Sequence, residues 1–108
     1  MKRCFYCLFI LLCSCREDNQ ALKIKGSDTE VNLVVKLAES FHKVKPGIFV
    51  SISGGGSGLG IASLINNTAD LANSSRSMNN GEIALFKKNG DRLDSFVFAQ
   101  DAIAFIVA

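Results

Sequence analysis

The stretch Ser53-Gly54-Gly55-Gly56-Ser57-Gly58-Leu59-Gly60 constrains the fold of this chain more than any other. Upstream, Ile48, Val50 and Ile52 recur at every second position, the period of a strand. Downstream, Ile61, Leu64 and Ile65 fall on one face of a helix. A glycine-rich turn between a strand and a helix leaves backbone N–H groups and the Ser57 hydroxyl bare above the helix N-terminus. Unpaired amides and the helix dipole favour negative charge there, so the stretch suits an anion.

Other readings of the glycines fail on inspection. A nucleotide-binding P-loop ends in Gly-Lys-Ser/Thr, and no lysine occurs between Lys45 and Lys87. The dinucleotide pattern G-x-G-x-x-G, started from Gly54 and Gly56, ends on Leu59, and started from Gly56 and Gly58 it ends on Ile61. The nucleophile elbow G-x-S-x-G, laid on Gly55 and Ser57, also needs a glycine where Leu59 stands. Serine hydrolysis would further need a base. The only histidine, His42, lies near the far end of the preceding helix and reads as an exposed helical residue.

The N-terminus has a different character. Lys2 and Arg3 precede an apolar run from Phe5 to Leu12 that is too short to span a bilayer and reads as a secretory signal. The run ends in Leu12-Cys13-Ser14-Cys15, which resembles a bacterial lipoprotein signal, with Cys15 as the lipid anchor. Residues 1–14 are thus expected to be a signal peptide and 15–20 a tether, with the fold in 21–108. Cys4, Cys7, Cys13 and Cys15 all fall in the leader or at its cleavage point, which leaves the mature chain without a disulfide or a thiolate metal site. Lys2 and Arg3 also account for the whole excess of 12 basic over 10 acidic side chains. A neutral mature chain lacks the basic surface that nucleic-acid binding draws on, yet one small anion can be held by local dipoles. No metal or cofactor motif occurs.

Along the mature chain, Leu22 and Ile24 alternate with Lys23 and Lys25 as a first strand, closed by Gly26-Ser27-Asp28-Thr29. Val31, Val34, Val35, Ala38 and Phe41 then share one helix face, and Pro46-Gly47 ends that region. After the glycine loop and its helix, Asp70-Leu71-Ala72 reads as a third strand and Asn73 to Ser77 as a polar loop. Asn79-Asn80-Gly81 opens a third helix through Glu82, Ile83, Leu85 and Phe86, with Asn89-Gly90 as its stop. Phe96 to Ala99 and Ile103 to Ala108 are apolar, strand-like runs; the chain stops inside the second, which reads as a truncation. Strands and helices that alternate at these spacings argue for an α/β fold with a mostly parallel sheet and helices on both faces.

In such a sheet every strand-to-helix loop emerges at the carboxyl ends of the strands, where ligands bind. Thr29, Ser57 and Ser75 each sit in such a loop, so one site can draw on all three. Each also has a plainer reading. Thr29 and Ser57 suit N-caps, Asp28 suits a first-turn acid that complements the dipole, Arg76 suits a surface charge, and Ser74, Ser75 and Ser77 suit an ordinary loop.

Gly26-Ser27-Asp28-Thr29, the loop Gly54 to Gly60, and Ala69-Asp70-Leu71-Ala72-Asn73-Ser74-Ser75-Arg76 together resemble, in order and spacing, the N-terminal part of the periplasmic phosphate-binding proteins of ABC transporters. The resemblance runs from about Ala21 to Ala108. It implies a type II periplasmic-binding-protein-like fold, of which this chain would hold the first part of one lobe. By position, the Thr29 hydroxyl and the Glu30 amide would donate to phosphate, with Ser57 doing so from the next helix. Ser75 falls where other members carry an aspartate that accepts the proton of hydrogen phosphate. That departure leaves two routes open: an acceptor at Asp28 or on another loop, or a branch that uses Ser75 and Arg76 as donors.

The resemblance implies a lipid-anchored, non-enzymatic solute-binding protein at the cell envelope, facing the periplasm or exterior. Its partners would be inorganic phosphate, the membrane permease of an ABC transporter and, through the lipid, the membrane; nucleic acid is not among them, and no cofactor is expected. The alternatives are a binder of another tetrahedral oxyanion such as sulfate or molybdate, a fragment of an α/β phosphate-ester hydrolase, and a secreted adhesion or signalling lipoprotein that has lost ligand binding.

Overall fold

A computed structural model describes residues 21–90 and 92–107. The expected signal peptide, the Cys15 anchor and the tether lie outside them. Seven elements follow in order: β1 (Leu22–Gly26), a single 3₁₀ turn (Asp28–Glu30), α1 (Val31–Val44), β2 (Val50–Ser53), α2 (Ser57–Ile65), β3 (Leu71–Asn73) and α3 (Asn80–Lys88).

The three strands form one parallel sheet in the order β2-β1-β3. Leu22 pairs with Val50 and Ile24 with Ile52 on one side of β1, and Ile24 with Leu71 on the other. Asp70 extends the second seam by one residue. It accepts the Lys23 amide on Oδ2 at 2.7 Å and gives its own amide to the Lys23 carbonyl at 2.9 Å. Parallel neighbours need a crossover helix, and such crossovers are right-handed in nearly all sheets. The step from β1 to β2 and the step from β2 past β1 to β3 run in opposite directions. A common hand therefore puts α1 and α2 on opposite faces: α1 packs on β2, α2 across β1 and β3, and α3 on α2.

The small core follows this layout. Ile61 of α2 is 2% exposed, and Val34 of α1, Ala69 before β3 and Phe86 of α3 are also buried. Of the apolar face expected on α1, Val34 is covered, while Val35 and Phe41 stand partly in solvent. The ends of α2 and α3 are tied where Asn89 gives its side-chain amide to the Ile65 carbonyl at 2.9 Å.

The apolar runs from Phe96 to Ala99 and from Ile103 onward do not form the expected further strands: residues 92–107 carry no regular secondary structure. Phe96, Val97, Ile103, Phe105, Ile106 and Val107 are 79 to 94% exposed. Composition and pattern suit a strand there, but a strand exists only through ladder hydrogen bonds to a neighbour, and the pattern does not supply one.

Candidate functional site

The order β2-β1-β3 makes the β1/β3 seam the point where crossovers leave in opposite directions, and open α/β sheets bind ligands in the crevice at the carboxyl ends of such strands. Three loops meet there. The Ser27 amide donates to the Asn73 carbonyl at 2.9 Å, joining the loop after β1 to the end of β3. The Gly56 amide donates to the Gly26 carbonyl at 3.0 Å and the Gly55 amide to Asp28 Oδ1 at 2.8 Å, which fold the glycine loop over the end of β1. Ser57 Oγ accepts the Ser75 amide at 3.1 Å and lies 3.2 Å from Ser75 Oγ, closing the ring from the third loop.

This geometry revises the role of the glycines. The amides of Gly55 and Gly56 are spent on Asp28 and Gly26, so they anchor the loop and are not bare donors. The free donors move one step on. Gly56 is the N-cap of α2, and the first amide bonded within the helix is that of Gly60, which donates to the Gly56 carbonyl. Helix geometry thus leaves the amides of Ser57, Gly58 and Leu59 without helical carbonyls. In the first loop, the Val31 amide donates to the Asp28 carbonyl and closes the 3₁₀ turn. The Thr29 amide, inside the first turn, has no helical carbonyl ahead of it.

Neither Thr29 nor Ser57 caps a helix through its side chain. Each belongs to a hydroxyl pair instead. Ser27 Oγ, on a residue that is 3% exposed, lies 2.9 Å from Thr29 Oγ1. A hydroxyl carries one proton, so each pair uses one proton internally and has one left to give outward. If buried Ser27 donates to Thr29, the Thr29 proton is the free one. The pair Ser57–Ser75 has the same surplus.

Arg76 is drawn into the third loop by a carboxylate that its sequence spacing does not announce. Nη1 donates to Glu82 Oε2 at 2.9 Å and Nη2 to Glu82 Oε1 at 2.8 Å. Glu82 also completes a capping box at the start of α3: it accepts the Asn79 amide at 2.8 Å, and its own amide donates to Asn79 Oδ1 at 2.9 Å. Ser74 Oγ bridges the carbonyl and amide of Arg76. The Asn79-x-x-Glu82 signature is legible in sequence, whereas an arginine in a loop and a glutamate six residues on in the next helix carry no signal of their pairing.

The hydrogen bonds from Arg76, then that from the Asn79 amide, lower the Glu82 pKa from 4.5 to about 2. Hydrogen bonding to Glu82 in turn raises that of Arg76. A carboxylate with a depressed folded-state pKa stabilises the fold fully above its unfolded value of about 4.5. That contribution is lost as pH falls and is gone below about 2. A carbon-13 NMR titration is expected to place the Glu82 midpoint near 2 and to move it back toward 4.5 in Arg76→Ala. A wild-type midpoint near 4.5 would mean that the pair does not form in solution.

Among the described residues, two buried side-chain oxygens have no hydrogen-bond partner, Oε2 of Glu30 and Oδ1 of Asn73. His42 lies toward the opposite end of α1, exposed, with its ring 6.1 Å from that of Phe49. The chemistry available at the crevice is therefore donation of hydroxyl and amide hydrogen bonds at the start of two helices, with one guanidinium beside them.

Known proteins resemble this chain in sequence and in fold. The chain is 31% identical over 86 residues to the phosphate-binding protein PstS of Staphylococcus saprophyticus, covering 80% of this chain and 27% of that protein. It is 34% identical over 83 residues to the phosphate-binding protein PstS of Pseudomonas aeruginosa, covering 76% and 26%. The chain thus spans about a quarter of the length of the relatives it matches. Among solved structures, PstS from Borrelia burgdorferi aligns with a TM-score of 0.57 at 28% identity, over 59% of this chain and 25% of that one. The phosphate-binding protein of a phosphate ABC transporter from Streptococcus pneumoniae aligns with a TM-score of 0.55 at 31% identity, over 60% and 26%. The model of the PBP superfamily domain matches residues 16–108, and this chain belongs to the PBP superfamily.

Proposed function

We propose that the complete protein captures inorganic phosphate outside the cytoplasmic membrane and delivers it to the permease of an ABC transporter, without catalysing a reaction. The observation that carries this reading is the ring of three loops at the β1/β3 seam, closed by the Ser57–Ser75 hydroxyl pair. In this reading the hydroxyls of Thr29, Ser57 and Ser75, the amides of Glu30 and of the first turn of α2, and the Arg76 guanidinium are the donors to phosphate. The names of the relatives point to the same anion. Micromolar affinity needs about 8 kcal/mol, and hydrogen bonds to a charged group contribute ~1.5–3 kcal/mol each. Four to six such bonds, or roughly the set above, suffice after binding costs.

The same reading makes Cys15 a lipid anchor that holds the protein at the cell envelope, facing the periplasm or exterior. The charged start, the short apolar run and the Leu12-Cys13-Ser14-Cys15 ending support it, and the family match begins at the next residue, Arg16. Metabolic labelling with a fatty acid is expected to mark the wild-type protein and not Cys15→Ala.

Thr29→Ala and Ser57→Ala are each expected to weaken phosphate binding about 10- to 100-fold, the loss of one charge-assisted hydrogen bond, with little change in thermal stability. Isothermal titration of phosphate into the complete protein measures this. Unchanged affinity in both variants would remove these residues from the site. Competition by sulfate or molybdate in the same titration distinguishes phosphate from other tetrahedral oxyanions.

A further inference from the structure

A guanidinium carries five N–H donors. Arg76 uses two on Glu82 and one, from Nη1 at 3.0 Å, on the Ser77 carbonyl. The Nε–H and one Nη2–H remain. Nη2 stands over the first turn of α2, since a methyl group at Gly58 would lie 3.9 Å from it. That is the turn that bears Ser57, whose hydroxyl receives the Ser75 amide. Glu82 is itself rigid: its backbone is in the first turn of α3, both its oxygens are bonded, and its side chain is only 18% exposed against 43% for Arg76.

We propose that Glu82 is a positioning residue of the anion site, which holds the Arg76 guanidinium over the first turn of α2 so that its two unspent N–H groups add to the donors of Ser57 and Ser75. This rests on the phosphate reading above. The physical gain has two parts. A long side chain that must order itself on a ligand loses rotamer freedom at that moment, whereas one already clamped has lost it on folding. The pair also carries no net charge, so Arg76 acts through directed hydrogen bonds at short range and contributes little long-range, salt-sensitive attraction.

The test is a titration of inorganic phosphate into the complete protein at low and high salt, for wild type, Glu82→Gln, Arg76→Ala and the double variant. Glutamine fills the same place in a capping box, so Glu82→Gln is expected to stay folded and to melt only a little below wild type, by the loss of one exposed ion pair. Its affinity is expected to fall roughly tenfold at physiological salt, the scale of one charge-assisted hydrogen bond, and to fall further with added salt than that of wild type, because Arg76 is then an uncompensated cation. The double variant is expected to bind no more weakly than Arg76→Ala, since Glu82 acts only through Arg76. Equal or tighter binding in Glu82→Gln overturns the proposal, as do losses that multiply in the double variant. If the wild-type protein takes up no phosphate, the phosphate reading fails. Glu82 is then judged by the Arg76 guanidinium proton resonances, which need no ligand: resolved in wild type and averaged in Glu82→Gln, they keep the clamp, and averaged in both, they overturn it.

Discussion

Gly26→Ala is expected to be the most damaging single-methyl change in this segment, at about 3–5 kcal/mol. Gly26 ends β1 with φ at +153°, a conformation that L side chains rarely adopt. A Cβ there would fall on the carbonyl oxygen of Asn73 and against its backbone carbon and nitrogen. Those are the atoms that pair β3 with β1 and accept the Ser27 amide. Strain of this kind costs about 1–3 kcal/mol and overpacking about as much again, with no flexible side chain to move aside. Against a total stability of roughly 5–15 kcal/mol the loss is large. Urea unfolding of the complete protein should show a much lower midpoint at unchanged slope, together with loss of phosphate binding, because the same methyl group pries apart the first and third loops. A wild-type midpoint would mean that the β1/β3 seam is not closed as described.

Gly60→Ala is the second, at about 2–3 kcal/mol. Gly60 is buried at the point where α2 crosses the end of β1, and its Cβ would lie 2.6 Å from both the Cα of Gly26 and the carbonyl oxygen of Lys25. Both neighbours are backbone, so α2 itself would have to lift off the sheet, and overpacking against an immovable strand costs about 1–3 kcal/mol or more. Because α2 carries Ser57, the lift also moves its hydroxyl away from Ser75. Phosphate affinity is therefore expected to fall in parallel with the unfolding midpoint. Gly47→Ala serves as the control, since nothing lies within 4 Å of a Cβ there, and it is expected to be neutral or slightly stabilising. Equal stability of Gly60→Ala and Gly47→Ala would contradict the close crossing of α2 over β1.

Much of the fold was legible along the chain because its signals are local. The period-2 run through Leu22 and Ile24, the period-3.6 face through Val31 and Val34, and the Asn79 start and Asn89-Gly90 stop of α3 all depend on neighbours within one or two turns. Phe96 to Ala108 shows where that logic ends. Its apolar pattern is as strand-like as that of β2, but residues 92–107 form no ladder. Pairing is a property of two segments, and a pattern describes only one.

The candidate site divides in the same way. Its residue types and their placement in strand-to-helix loops came from spacing alone, since a βαβ order sends those loops to one edge of a sheet whatever the side chains are. Which groups are free to meet a ligand could not be read there. Gly55 and Gly56, bare donors by pattern, are occupied by Asp28 and Gly26; Ser57, a cap by position, is joined to Ser75; and Arg76, a surface charge by type, is held by Glu82. Sequence by itself determined a parallel α/β sheet with polar loops along one edge, because secondary structure and crossover order follow from local periodicity. Only the tertiary structure decided which donors are spent and which are left, because a hydrogen bond between residues 18 or 27 positions apart exists only once packing has brought them within 3 Å or so.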